Sequence, residues 1–233
     1  MGEVIRAGAA AADIMKDVAE TLTKATAMGG KWQDLADEQL GSVVALASNI
    51  AGQLVVAHAA AAPLVAKVDA ENLMADKLLG KVSDTIWNAL GRPRSDAGLS
   101  ILFPGGYSYY AEGDTAGQPD RMDVLVQLLL SGIHPRLDAA VASAAATEVQ
   151  GASTSLRAAV SAAAQPAAQL GVLERVEVAV ARAARIELAS LKRLYKVAGF
   201  SEAENHKVIP DQTAPAPKKT PDAAPGAADP RPA

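Results

Sequence analysis

The stretch GSVVALASNIAGQLVVAHAAAAPLVA, residues 41–66, carries no Asp, Glu, Lys or Arg, and its reading decides the fold. A helix needs about 20 apolar residues to cross a hydrocarbon core, so length alone permits a membrane span. The polar residues argue otherwise. Ser42, Asn49 and Gln53 are spaced by seven and four positions, which places them on one face of a helix. His58 and Pro63 interrupt the remainder. An amphipathic helix packed into a soluble bundle explains this distribution better than a bilayer does. Working outward, the helical pattern begins near Asp34 and reaches Leu90. Pro63 is expected to kink or interrupt it, because proline lacks a backbone donor and crowds the preceding turn.

Towards the N-terminus the sequence predicts a helix from about Val4 to Met28, with Ile14, Val18 and Leu22 repeating every four residues. Gly29-Gly30 ends it as a cap and turn. Towards the C-terminus the pattern stops over 91–119 and resumes from Asp120 to about Gln165, with a break expected at Gly132-Ile133-His134-Pro135. Gln118-Pro119-Asp120 reads as a helix start with proline in the first turn. Pro166 and Gly171 are expected to punctuate the chain before a final helix ending near Ala198, with Leu173, Val180, Leu188 and Leu191 on its core face. Its surplus of Arg and Lys reads as a solvated face. Half of the residues are hydrophobic but only 3% are aromatic, so the apolar mass is Ala, Val and Leu, which suits closely approaching helices.

The fold class implied is all-α: a long-helix bundle of four main segments, one or two of them kinked, in a single domain over residues 1–209. A non-helical, aromatic and Gly-rich insert occupies 91–119. The Pro/Ala-rich tail, 210–233, has no large apolar side chain to bury and is expected to be disordered.

The insert holds Phe103, Tyr107, Tyr109 and Tyr110, four of the eight aromatic residues in the chain. Alternation around Pro104-Gly105-Gly106 predicts a short β-hairpin. Burying four such side chains is worth about 6–12 kcal/mol, comparable with a domain's whole net stability of about 5–15 kcal/mol. A cover is therefore expected. The bundle itself suits Leu99 to Phe103, whereas Tyr107, Tyr109 and Tyr110 can be covered by the bundle or by a partner. Phe103, Tyr107, Tyr109 and Tyr110 are the candidate interaction residues.

Other classes are read against. A net charge of −4 and a pI near 5.4 lack the basic footprint of a nucleic-acid partner. With no cysteine there is no disulfide framework, thiol catalysis or Cys-ligated metal, and the composition fits a cytoplasmic protein. The N-terminus lacks a signal peptide's basic region and the myristoylation pattern. His58, His134 and His206 lie far apart, without HExxH or Glu-x-x-His spacing, and no nucleophile elbow, Walker A or dinucleotide fingerprint occurs. Glu112, Asp114, Asp120 and Asp123 lack EF-hand spacing and read as a solvated loop and helix start. No catalytic, metal or cofactor-binding residue is assigned, and no cofactor is expected. The sequence leads to a non-enzymatic structural or adaptor protein that binds itself or a protein partner, partly through residues 99–112. One alternative is a membrane-active protein that inserts 41–66 or the hairpin. Another is a small-molecule-binding bundle with Tyr107, Tyr109 and Tyr110 lining the pocket.

Overall fold

A computed structural model describes residues 9–210. The disorder expected beyond Pro210 and the first residues of the helix expected from Val4 lie outside the described residues. Among the described residues every regular element is a helix: α1 (Ala11–Met28), α2 (Lys31–Ala89), α3 (Ala97–Leu102), α4 (Ser108–Ala111), α5 (Gln118–Leu130), α6 (Ala139–Val197) and α7 (Glu202–Val208). The fold is all-α, and α1, α2, α5 and α6 are its main segments. Gly29 and Gly30 both have positive φ, 69° and 51°, and so make the tight turn between α1 and α2 that a residue with a Cβ resists.

The expected β-hairpin is not formed; among the described residues there is no strand. Leu99, Leu102 and Phe103 stand at helical intervals of three and four, and Asp96 caps the turn by accepting a hydrogen bond from the Leu99 N–H at 3.1 Å. Gly105 and Gly106, at φ 79° and 102°, then reverse the chain into the single turn of α4. Strand pairing would expose one side chain in two, whereas the helical turns send Leu102, Phe103 and Tyr110 into one core.

Pro166 and Gly171 do not end a helix either. The helices α2 and α6 each run 59 residues, through Pro63 and Pro166 respectively. A proline inside a helix costs about 3 kcal/mol, yet breaking α6 there would misalign Ala159 and Ala163 before it with Leu173 after it, all of them buried. The break at 132–135 does occur. After α5 ends, Gly132 takes φ 67°, and Asp138 then caps α6 by accepting from the N–H groups of Ala140 (2.8 Å) and Val141 (3.3 Å).

Contacts divide the chain into two compact units, of which the described parts are residues 9–44 with 181–210, and residues 45–180. The first contains α1, the start of α2, the end of α6 and α7. Ile14, Val18, Leu40, Leu188 and Leu191 are buried there. Trp32 stacks on Phe200 with ring centroids 3.8 Å apart and meets Tyr195 at 4.4 Å, and the Tyr195 hydroxyl donates to the Trp32 carbonyl at 2.8 Å. A capping box, Ser201 with Glu204, starts α7, which packs on α1.

The second unit contains the rest of α2, then α3, α4, α5 and α6 up to Val180. Its core gathers Leu79 and Ile86 of α2, Leu102 of α3, Met122 and Leu125 of α5, and Leu156 of α6. The Lys81 ammonium and the Glu148 carboxylate meet at 2.9 Å, and Gln169 shares a groove with Asn49 and Gln53, so α2 and α6 are antiparallel neighbours within this unit.

Candidate interaction surface

The four aromatic residues of the insert divide into two pairs. Phe103 and Tyr110 are core: Tyr110 has no exposed surface, its hydroxyl donates to the Leu102 carbonyl at 2.7 Å, and the two rings meet edge to face at 6.1 Å. Burial, with the neighbouring Tyr109 adding, pushes the Tyr110 phenol up to about 12. Tyr107 and Tyr109 are about half exposed. Tyr107 lies over Gly80 of α2, whose missing side chain leaves the ring room at ordinary contact distance. Tyr109 stands edge-on to Tyr110 at 5.1 Å.

Beside the insert, Asp96, His134 and Arg136 form a polar knot. The Asp96 carboxylate accepts from the Leu99 N–H, meets His134 Nε2 at 2.9 Å and pairs with the Arg136 guanidinium. The Leu99 N–H first, then His134 and Arg136, hold the Asp96 carboxyl down at about 2. His134 Nδ1 accepts from the Arg136 backbone N–H at 3.3 Å, so Nε2 is the nitrogen left to donate to Asp96. Both ring nitrogens are occupied, and the arrangement ties the 132–137 loop to the start of α3. A cavity of about 220 Å³ lies next to it, lined by leucines with His134 and Ser143 rather than by the insert's tyrosines.

Three of the acids that follow the aromatic residues, Asp114, Asp120 and Asp123, are engaged. Arg157 of α6 bridges Asp120 (2.6 Å) and Asp123 (2.5 Å) of α5, and the Ser153 hydroxyl donates to Asp123 at 2.6 Å. Asp114 accepts from the Gly117 N–H at 2.6 Å. Among the described residues no three His, Asp or Glu side chains are grouped to hold a metal ion.

The largest unexplained feature of the second unit lies where only α2 and α6 run side by side. On α2, Ile50, Leu54, Ala57 and Ala61 are buried at intervals of four, three and four, which is a single narrow seam. The other faces of the helix are exposed, and Val55 and Val56 are 70% and 69% accessible. On α6, residues 158–173 also contain no Asp, Glu, Lys or Arg, and Val172 is half exposed. A groove of about 450 Å³, lined by Asn49, Gly52, Gln53, Val56, Ala60 and Gln169, shows that the two charge-free segments lie alongside each other. Gln53 donates to Asn49 at 2.6 Å, so the polar residues of the groove partly satisfy one another.

The sequence reading found the α2 segment but not its α6 counterpart. The signal was available: sixteen consecutive uncharged residues between Arg157 and Glu174. It was hidden by Pro166, which divided them between two expected helices. The Trp32, Tyr195 and Phe200 cluster also went unforeseen. Its signal was position, since Trp32 and Phe200 each stand just after a glycine turn, where helix ends meet.

By length and composition α2 could cross a membrane, and only 28% of its most apolar window is buried. No protein-family model matches this sequence, and comparison with curated proteins and with solved structures finds no match.

Proposed function

We propose that this chain is a non-enzymatic helical interaction protein, structural or adaptor in role, that works by docking protein onto the charge-free face of α2 and α6 in the second unit. The observation that carries the reading is the exposure of Val55 and Val56, with Leu46 and Val65, along a stretch of α2 that has no Asp, Glu, Lys or Arg. Isolated exposed valines are ordinary, but several along one uncharged stretch of a helix are what an interaction site presents. The centres of protein interfaces are also depleted in charge. Tyr107 and Tyr109 supply a second, smaller patch, with the amphipathic side chains that recur at interaction hot spots. Phe103 and Tyr110 serve the patch from beneath, holding the insert against the core.

The test is a photo-crosslinking amino acid placed at Val56, and separately at Tyr109, in the full chain in intact cells. Protein adducts from Val56 are the expected result. Cells that yield none from either position would sink the reading.

A second reading places α2 in a bilayer, and the observation favouring it is the low burial of its apolar window. Against it, the α6 segment alongside carries Gln165 and Gln169 within its uncharged run. Flotation of the full chain with phosphatidylcholine vesicles, without protein adducts from Val56, would favour this second reading.

A further inference from the structure

We infer that α7 is a latch, a short helix whose docking on α1 is nearly balanced by its release, so that it opens and closes while the rest of the first unit stays folded. The latch is independent of the docking proposed for the second unit, and it is read from one side chain, Asn205.

Asn205 is fully buried, and among the described residues neither its Oδ1 nor its Nδ2 has a hydrogen-bond partner. Gln118 and Arg121 of the second unit also hold one buried unpartnered atom each, but both side chains are engaged elsewhere. Gln118 donates to Asp76 at 2.8 Å and Arg121 to the Asp114 carbonyl at 3.1 Å. The Asn205 side chain has no such second bond. A carboxamide offers two donors and an acceptor, and water satisfies them all once the helix is released. Docking therefore strips the amide of hydrogen bonds that the docked state does not return.

Little stands on the other side of the balance. The buried stripe of α7 is Asn205 and Val208 with the following Ile209, so two aliphatic side chains oppose one unpaired amide. The helix is seven residues long, too short to persist without packing. Its polar clasp is Glu202, which meets Lys192 of α6 at 2.7 Å and Lys196 at 2.5 Å. Glu202 and Lys196 are about half exposed, so solvent and salt weaken the clasp.

The boundary of the moving part is marked as well. Phe200 stacks on Trp32 and meets Tyr195 edge to face, so the chain is anchored up to that ring. Ser201 then starts α7 with a capping box made wholly inside the segment, between Ser201 and Glu204. The cap therefore ties α7 to nothing else. Release from Ser201 onward leaves the aromatic cluster in place and uncovers the part of α1 beneath α7. That is an opening smaller than the unfolding of the unit.

The experiment uses the full chain, which has no cysteine, so Lys207→Cys at an exposed position of α7 carries a single nitroxide. Its electron paramagnetic resonance spectrum separates an immobilised, docked population from a mobile, released one. The expected result is both components together. Asn205→Leu, close in size but without the amide, should move their ratio at least about tenfold towards the docked component. The better helix propensity of leucine accounts for only about twofold of that. Glu202→Gln should move the ratio the other way. A labelled chain showing one component alone overturns the inference, whichever component it is. So does an Asn205→Leu variant no more docked than its parent, because the amide would then be satisfied in place and α7 would be a fixed part of the core. If circular dichroism shows that Asn205→Leu has not folded, the number of components in the labelled parent decides the matter.

Discussion

Tyr110 shows how one side chain fixes the insert. Its ring fills the core beneath α3 and α4, and its hydroxyl satisfies the Leu102 carbonyl at the end of α3. Removing that hydroxyl leaves a buried acceptor without its donor, so Tyr110→Phe should cost about 1–3 kcal/mol, read from denaturant midpoints. An unchanged midpoint would mean that water reaches the Leu102 carbonyl. Gly98 does comparable work by having no side chain. A Cβ there would stand 2.5 Å from His134 Cδ2, so Gly98→Ala should displace the imidazole and cost about 1–3 kcal/mol. The His134 ring resonances in a nuclear magnetic resonance spectrum should shift with it. Neither role was legible in the sequence. Tyr110 and Tyr109 are neighbours of the same type, and only the path of the backbone decides which one faces inward. Gly98 sits beyond a helix cap, where glycine is unremarkable until the ring that lies over it is known.

Among the elements, the long helices test how far local rules extend. Pro63 was expected to kink or interrupt its helix and Pro166 to punctuate the chain, because a proline removes one helical hydrogen bond. The structure keeps both helices continuous, since the buried seam on either side must stay in phase. Counting from the Lys81–Glu148 pair, Pro63 and Pro166 each lie eighteen residues away, and therefore level with each other along the antiparallel pair. Replacing either by alanine restores a donor without disturbing the seam, and should stabilise the second unit by up to about 3 kcal/mol. Slower amide exchange over residues 57–65 is the readout for Pro63→Ala, and exchange no slower than in the parent would show that the proline bends the helix productively. At the other end of the chain α7 was missed, although Ser201-Glu202-Ala203-Glu204 has the capping-box spacing in plain view. The helix is only seven residues long, too short for a periodic hydrophobic signal. Ser201→Ala should cost about 0.5–2 kcal/mol, expressed as fraying of α7. The main helices were legible because their apolar period persists over many turns. The hairpin was misread because, over five residues, alternation and a helical three–four spacing both place Leu99 and Phe103 inward and differ only at Ile101 and Leu102.

At the scale of the whole molecule, each unit carries a carboxylate drawn far below its ordinary range and a buried tyrosine held neutral. In the second unit these are Asp96, at about 2, and Tyr110, at about 12. In the first they are Glu202, drawn down to about 2 by Lys192 and then Lys196, and Tyr195, pushed up to about 12 by burial with the Asp37 charge adding. A carboxylate whose folded value lies below its unfolded one stabilises the fold at higher pH. That contribution is lost as the pH falls from 3.8 towards about 2 for Asp96, and from 4.5 towards about 2 for Glu202. The tyrosines act with the opposite sense. Their folded values are raised, so their contribution is complete below pH 10 and is lost as the pH rises from 10 towards about 12. Stability should therefore be level between these limits and fall on both sides. The two tryptophans allow the units to be followed separately, because Trp32 belongs to the first and Trp87 to the second. With Trp87→Phe, Trp32 fluorescence should report an alkaline limb that Tyr195→Phe flattens and an acid limb that Glu202→Gln flattens. With Trp32→Phe, Trp87 should respond instead to Tyr110→Phe and Asp96→Asn. If either tyrosine variant flattened the alkaline limb of both reporters equally, the two units would be unfolding as one, and the separate cores built around Leu188 and Leu79 would not be independent cooperative structures.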